Sequence, residues 1–474
     1  MKKIPSNLRP LLLSCALAAV VAGCATPGAS PVADLRVPAQ YGRGDAVANA
    51  PVERIDTEVT APAGDVLADS WWRGFGDARL DALVERTLEV NTDLAAAGLR
   101  LQRARAQAGL ASAELWPQAS GSVGASGSRA IDSSDDWSRN HSASVSLGWE
   151  IDLWGKLRTQ RDIARWEADA TAQDLQNTQL LLIGQACELY WQLGYLNLSI
   201  ATGEANLERL QRTATLVQAQ FDAGAVSRLE VRQAQQNIES QRAAQAQLEQ
   251  QRVEARNALT VLLDGQPWPA DGEPQGLDGF VHPAVSEGLP AELLARRPDL
   301  RAAELRLRQS LANIKVTATS YYPSLSLTGS VGSSSPSLGD VLRNPVASLG
   351  AGLSLPFLRF RQMQLNIDSA DLSYQIAANE FRKTLYTALA EVDNALSARQ
   401  RLAEQVEAAE RSHAEAVEIE RLYEVRYRAG ATDLRNWLDA QQTRRNAELS
   451  LAQARRSQLG NDVTLVKALG GGAG

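Results

Sequence analysis

The chain is poor in the residues on which metal and redox chemistry usually depends. Its 474 residues include only three cysteines, three histidines and two methionines. The histidines (His141, His282 and His413) lie far apart in the sequence, which makes a multi-histidine metal site unexpected. HExxH, CxxC, GxSxG and GxxxxGK[ST] motifs are all missing, so the common zinc, hydrolase and nucleotide signatures are excluded. We therefore expect no catalytic residues, no metal site and no cofactor.

The chain also lacks an excess of positive charge and any long hydrophobic run. Its 48 Lys and Arg do not outnumber its 55 Asp and Glu, so a nucleic-acid partner is not expected. The apolar run near the N-terminus, Leu11 to Gly23, is too short for a helix that crosses a bilayer about 30 Å thick. Because Lys2, Lys3 and Arg9 precede it, residues 1–23 are predicted to be a cleaved signal peptide.

The signal ends in a sequence that looks like a bacterial lipobox, Val21 to Cys24. In such a sequence the cysteine carries the lipid and becomes the mature N-terminus, so we expect a covalent lipid on Cys24. The alternative is an ordinary signal peptide with an incidental cysteine. Residue 25 is Ala rather than Asp, which by the usual sorting pattern of lipoproteins indicates the outer membrane. The next residues are rich in Pro, Ala and Gly and are predicted to form an extended arm.

The rest of the chain contains one internal duplication. Trp116-Pro117 corresponds to Tyr322-Pro323, and Phe221 to Gly224 corresponds to Tyr427 to Gly430. These and four further matches are all separated by 206 positions (323 − 117, 430 − 224). The predicted organisation is an arm at 24–76, a first repeat at 77–265, a linker at 266–290 and a second repeat at 291–474.

Each repeat contains a segment in which apolar and polar residues alternate. In residues 142–153 the odd positions from Ala143 to Leu153 are apolar and the even ones are polar or Gly. This period of two predicts a strand with one apolar and one polar face. The pattern predicts one hairpin per repeat, at 118–153 and 324–357, with tips near 129–141 and 333–344. Aromatic residues lie near the strand ends, where an aromatic belt is expected: Trp149, Trp154, Tyr321, Tyr322 and Phe357.

Long helices are predicted between the strands. No proline occurs between Lys156 and Phe221, and apolar residues recur every seven positions from Leu175 to Val217, with Gly203 as the exception. The second repeat has the same heptad pattern from Phe381 to Tyr423. Heptads sustained over this length are typical of coiled-coil packing. Gly224 and Gly430 are expected at the turns where the chain returns as a second helix, because Gly tolerates a positive φ.

The predicted strands are about 10–12 residues long, which suits a transmembrane β-strand, since such a strand needs about 9–11 residues. Strands in lipid must close into a barrel, and the smallest such barrels have about 8 strands, whereas this chain offers four. A barrel would therefore be shared between copies, and the strands alone allow a dimer, a trimer or a tetramer. A β-sandwich is the alternative, although it leaves the lipobox and the long helices unconnected.

The chain resembles the outer membrane factors of bacterial tripartite efflux pumps, in particular the TolC-like, NodT/OprM-type lipoproteins. The resemblance covers almost all of the mature protein. One departure follows Phe357, where Leu358 to Arg361 stands in place of a Gly-rich run. The residue at which the second long helix begins is therefore not predicted. The matching stretches are Trp71–Asp77, Trp149–Lys156, Leu293–Leu300, Glu391–Leu396 and Tyr427–Gln441.

This resemblance implies a membrane α+β fold. The implied assembly is a homotrimer with a 12-stranded transmembrane β-barrel, four strands per chain, continued by an α-helical coiled-coil tunnel through the periplasm, with internal structural duplication. It also implies a mixed equatorial region built from the arm, the linker and the C-terminal end. The implied partners are outer-membrane lipid, a periplasmic adaptor and an inner-membrane transporter of the resistance-nodulation-division (RND) class. The function it implies is passive conduction of small molecules to the exterior. A type I secretion duct for polypeptides and a non-conducting structural lipoprotein are the alternatives.

The resemblance also suggests functional positions at the periplasmic end. Gly224 and Gly430 would lie at the tunnel tips, where the adaptor docks in the family, or act only as turn glycines. A carboxylate that narrows the tunnel in the family maps onto Asp439. Asn436 occupies a position that is acidic in some members, and Arg435 one that is elsewhere apolar. Arg435 could neutralise three Asp439 side chains around the axis, whereas an ordinary solvated i,i+4 pair is the alternative.

Overall fold

The computed structural model describes residues 70–129, 137–283 and 293–471. The predicted signal peptide, Cys24 and most of the arm lie outside these residues. In chain order the helices and strands are a 3₁₀ helix (Trp71–Phe75), α1 (Ala78–Val90), α2 (Thr92–Ala113), β1 (Gln118–Ser128), β2 (Ser138–Ile151), α3 (Lys156–Asp222), α4 (Arg228–Leu262), α5 (Leu293–Arg296), α6 (Pro298–Thr319), β3 (Ser324–Ser335), β4 (Val346–Ser354), α7 (Phe360–Arg428) and α8 (Leu434–Ala468). None of the helices in these ranges is both long and apolar enough to cross a membrane.

The element boundaries repeat along the chain. Helices α2 and α6 begin and end 206 positions apart, as do α4 and α8 (298 − 92, 434 − 228). The strands and the long helices follow the same spacing within a few residues. The two repeats therefore build the same sequence of helix, hairpin, long helix and returning helix.

The long helices α3 and α7 contain 67 and 69 residues. At 1.5 Å per residue each is about 100 Å long. Their heptad positions are buried or half-buried along the whole length, among them Leu182, Leu196 and Val217 of α3. α3 packs along α4, and α7 packs along α8, so each repeat forms a long helical hairpin. Gly203 interrupts the heptad because the side chains of Gln241 and Gln245 of α4 occupy the space beside it.

The four strands form one antiparallel sheet in the order β1-β2-β3-β4. The predicted boundaries of both hairpin tips are wrong, and the second hairpin ends at Ser354 rather than at 357. The first hairpin tip was predicted at 129–141, but β2 already begins at Ser138. The second tip was predicted to begin at 333, but β3 extends to Ser335. In both cases the pairing continues through Ser, Arg and Asn residues that show no apolar alternation, because backbone hydrogen bonds hold the ladder there.

The second long helix begins directly after the departure noted above. A short 3₁₀ turn at Pro356–Leu358 leads into α7 at Phe360. A Gly-rich run is therefore not needed to start this helix.

Candidate functional site

The sheet carries one continuous apolar face. Val145 of β2 lies opposite Val331 of β3, which lies opposite Ala347 of β4. Side chains on this face are largely exposed within the described part of the protomer: Val145 is 61%, Val123 88% and Leu349 94% exposed. A contiguous apolar surface of this kind marks a contact with lipid or with another protein.

The opposite face of the sheet is lined by hydroxyl groups that pair across the strands. The Oγ atoms of Ser120 and Ser146 are 2.8 Å apart, and those of Ser330 and Ser348 are 2.7 Å apart. Among the described strand residues, Glu150 is the only acidic or basic side chain on this face. The predicted division into apolar and polar faces therefore matches the register of the sheet.

The junction between β2 and α3 holds two carboxylates with different surroundings. Glu150 accepts a 2.5 Å hydrogen bond from the Nζ of Lys156, the first residue of α3. Asp152 instead accepts from the backbone N–H groups of Leu157 and Arg158, both at 3.1 Å, so it satisfies the open N-terminus of the helix.

The aromatic residues near the strand ends divide into two groups. Trp149 and Trp154 are partly exposed and donate their indole N–H to the carbonyl oxygens of Leu115 and Pro323, at 3.0 and 2.7 Å. An exposed ring with an anchored polar edge suits a membrane interface. Tyr321 is buried, and its hydroxyl accepts a hydrogen bond from Asn366. Its assignment to an aromatic belt is therefore wrong, because the side chain is buried beside α7 and is not exposed at the end of a strand.

The end of the N-terminal arm and the linker both pack against the middle of α3. The rings of Phe75 and Trp191 meet edge to face, with centroids 4.8 Å apart. The backbone N–H of Val281 donates to the carbonyl of Phe75 at 3.1 Å. Trp71 and Trp72 complete this buried cluster. The Trp71–Asp77 motif thus has a structural role, since it fixes both segments to the long helix.

Asp77 connects this region to α3 by hydrogen bonds. It caps α1 by accepting from the backbone N–H of Arg79 at 2.9 Å, and it accepts from the hydroxyl of Tyr190 at 2.7 Å. Burial raises the pKa of Asp77, but the hydrogen bonds from Arg79 and Tyr190 outweigh it, so the net pKa lies below its ordinary value.

Gly224 and Gly430 close the two helical hairpins with left-handed backbone conformations, φ 77° and 71°. At the first turn the N–H of Ala225 donates to the carbonyl of Gln220 at 2.8 Å, and the equivalent bond closes the second turn at the same distance. This is the Schellman arrangement, in which a residue with positive φ ends the helix. A Cβ at either glycine would have no atom of the protomer within 4 Å. The space around both turns is therefore open in the protomer.

The two turns lie side by side. The hydroxyl of Tyr427, near the end of α7, donates to the side-chain oxygen of Gln220, near the end of α3. The Tyr427 ring also stacks on Trp437 of α8, with centroids 5.2 Å apart and an interplanar angle of 28°. The ends of the two hairpins thus form one packed unit.

The three gate candidates lie in the first two turns of α8. Arg435 and Asp439 face each other on an exposed surface, with side chains 81% and 71% accessible. Their closest N and O atoms are 3.9 Å apart, which is too long for a hydrogen bond. Asn436 donates to the Thr432 hydroxyl at 3.0 Å. Within the described residues of one protomer the three side chains form a solvated surface, and no hydrogen bond or ion pair joins them to a second helix or strand.

A further junction links two of the motifs that carry the resemblance. Arg297 is buried, and its guanidinium donates to Asp299 at 2.8 and 3.0 Å and to Glu391 at 2.7 Å. It also donates to the carbonyl of Ala468, at the end of α8, at 3.2 Å. Sequence reasoning assigned no role to this arginine. Its position in a motif was the only available signal.

The duplicated position in the first repeat makes the same backbone contact with a neutral side chain. Asn91 donates to the carbonyl of Leu262, at 2.9 Å, and both residues lie 206 positions before Arg297 and Ala468 (297 − 91, 468 − 262). The first junction is thus uncharged, whereas the second is an ion-pair cluster.

The class of protein that this arrangement defines is an α+β channel protein with a sheet at one end and long helical hairpins at the other. The crystal structure of the open state of the Neisseria gonorrhoeae MtrE outer membrane channel has the same fold, with a TM-score of 0.79. The two chains are 27% identical, over 94% of this chain and 98% of the other.

The chain belongs to the outer membrane efflux protein family, which it matches over residues 83–265 and 289–471. The two matched segments are separated by the same 206 positions as the repeats (289 − 83, 471 − 265). The pyoverdine export outer membrane protein OpmQ of Pseudomonas putida is 32% identical, over 87% of this chain and 90% of its own length. The probable efflux pump outer membrane protein TtgC of Pseudomonas putida is 30% identical, over 97% and 95% of the two chains.

Proposed function

We propose that this protein is the outer-membrane exit duct of a tripartite efflux system and that it conducts small molecules passively from the periplasm to the exterior. The observation that carries the proposal is the sheet, which has an exposed apolar face, a hydroxyl-lined opposite face and two edge strands. An edge strand in hydrocarbon leaves its backbone N–H and C=O groups without partners, which lipid does not tolerate.

The two edge strands support an assembly in which copies of the chain share one sheet. Strands β1 and β4 each have one neighbour within the protomer, so β4 of one copy can pair with β1 of the next. Three copies with four strands each give a closed barrel of 12 strands, with the apolar face toward lipid and the hydroxyls toward the bore. The helical hairpins of the three copies then continue the bore as a coiled-coil tunnel in the periplasm.

The proposed partners follow from the ends of the duct. The open space around Gly224 and Gly430 suits the docking of a periplasmic adaptor, which couples the trimer to an inner-membrane RND transporter. Arg435, Asn436 and Asp439 are proposed to narrow the tunnel beside these tips. Acyl chains on Cys24 are proposed as a further anchor in the outer membrane.

Cysteine crosslinking tests the assembly. Single cysteines along β1 are paired with single cysteines along β4 in a background that lacks Cys187, and membranes are oxidised before denaturing electrophoresis. The proposal predicts a ladder that ends at three chains, with pairs that react in one antiparallel register. A ladder that ends at two or four chains, or no crosslinks between chains, would contradict the 12-stranded barrel.

A deletion strain tests the transport function. Loss of this protein should increase intracellular accumulation of dyes and sensitivity to antibiotics, and the wild-type gene should restore both. Normal efflux together with loss of a secreted polypeptide would favour the type I secretion duct. One relative that is 29% identical is named toxin and drug export protein A, so both phenotypes should be measured in the same strain.

A further inference from the structure

The junction between β2 and α3 carries the only charges on the polar face of the described sheet. The strand residues on this face are otherwise Ser, Thr, Gly, Asn, Gln and Val. Glu150 stands on it one residue before the end of β2, and its carboxylate receives the Lys156 ammonium at 2.5 Å. Both side chains are partly exposed, at 37% and 22%. The pair is therefore accessible from the polar side of the sheet.

The duplication makes this pair a feature of one repeat only. The positions 206 residues further on are Pro356 and Gln362, neither of which is charged (150 + 206, 156 + 206). A trimer would therefore carry three such pairs in one ring, at the level where the sheet passes into the helices.

We propose that Glu150 and Lys156 form a charge-balanced ring that keeps the duct weakly ion-selective where the barrel meets the tunnel. This inference rests on the proposed function, since it requires three copies with the polar face toward the bore. Charges that line a water-filled passage raise the local concentration of counter-ions, an effect that falls off within a Debye length of the wall. Each Lys156 offsets the charge of one carboxylate, so the pair itself adds no net charge to the ring.

The neighbouring carboxylate does not share this role. Asp152 is bound to the backbone N–H groups of Leu157 and Arg158 and to the Arg158 guanidinium, and its side chain is only 11% exposed. It is therefore committed to the helix N-terminus.

Ion selectivity of the purified trimer in planar bilayers tests the proposal. Reversal potentials are measured across a KCl gradient near 0.1 M, where the Debye length is about 10 Å and the charges are not fully screened. Lys156→Met should raise the K⁺/Cl⁻ permeability ratio by at least about threefold, and Glu150→Gln should lower it by a similar factor. The double variant Glu150→Lys/Lys156→Glu keeps the pair and should return the ratio toward that of the wild type.

A matched control is Glu85→Gln, which removes one partner of an exposed ion pair with Arg73 at 2.6 Å, carried by α1 and the arm. It should leave the permeability ratio unchanged. The two single variants should shift the ratio in opposite directions, because they remove charges of opposite sign. Misfolding would not produce a shift that follows the sign of the removed charge. The inference is overturned if the wild type conducts but neither single variant changes the ratio, or if both variants shift it in the same direction. Neither result contradicts the proposed function. If the wild type itself neither conducts nor forms a trimer, the proposed function fails.

Discussion

Single residues hold the end of the N-terminal arm to the long helix α3 through charge-assisted hydrogen bonds. Asp77 is the clearest case, because its carboxylate caps α1 and also receives the hydroxyl of Tyr190. Its pKa in the folded protein lies below the unfolded value, so the ionised form is the one that the fold stabilises. This contribution is fully present above the unfolded pKa of about 3.9 and is lost as the pH falls through the folded pKa.

Asp77→Asn should therefore make the free energy of unfolding less dependent on pH in the acidic range. At pH 7 the variant should unfold with a free energy about 1 kcal/mol lower, because the bonds from Arg79 and Tyr190 lose their charge assistance. Between pH 5 and about pH 3 the wild type should lose stability more steeply than the variant. Thermal unfolding of the trimer in detergent across this pH range measures both effects. Tyr190→Phe removes one of the bonds and should shift the loss of stability in acid to higher pH, whereas an unchanged pH dependence in both variants would contradict this role.

At the scale of the elements, the two helical hairpins depend on glycines in a conformation that costs other residues energy. Gly224→Val and Gly430→Val should each destabilise their turn by about 1–2 kcal/mol, because φ near 70° brings a Cβ close to the following carbonyl. No neighbouring atom of the protomer would collide with the new side chain, so trimers should remain in the membrane while efflux falls.

Dye efflux and the amount of membrane-embedded trimer should be measured in parallel for these variants. Gly224→Asn is the conservative comparison, since Asn tolerates the left-handed region, and it should retain most of the activity. Gly109→Val is a matched control in α2, where the backbone is helical and the space is equally open. Loss of the trimer in the tip variants would show a folding role instead of a role in coupling.

The elements also show how far the sequence can be interpreted without a structure. The alternation in β2, the heptads of α3 and the spacing of 206 define the strands, the long helices and the repeat, because each depends on a period within one chain. The junction of Arg297 with Glu391 has no such period, since it joins residues 94 positions apart. The strand ends were also missed, because polar residues there pair through their backbones alone.

At the scale of the whole molecule, the gate candidates depend on what three copies do together. Arg435 and Asp439 are solvated in the protomer, and an exposed pair of this kind contributes only a few tenths of a kcal/mol. Around a threefold axis the same carboxylates would repel one another and attract cations. The assembly, and not the pair, would then give them a function.

Asp439→Ala should consequently lower cation preference and change single-channel conductance. Arg435→Ala removes the neutralising charge, and the double variant should leak more than either single one. Single-channel recordings and reversal potentials of the three variants, at matched trimer levels, measure this. The exposed pair Arg411 and Glu407 on α7 provides a control of the same i,i+4 type. Wild-type conductance and selectivity in all three variants would place these residues outside the pore.

The serine pairs across the polar face have a consequence for how a solute moves past it. Each hydroxyl is already engaged with a hydroxyl on the neighbouring strand at 2.7–2.9 Å, as at Ser122 and Ser144. Each pair leaves only one O–H donor free, and a passing molecule exchanges bonds to water for bonds to the wall, so the net gain from contact with the wall is small. Residence at the wall should be brief for sugars, dyes and amphiphiles alike. In the proposed duct a solute would bind to this face only briefly, and diffusion through water would set the rate of its exit.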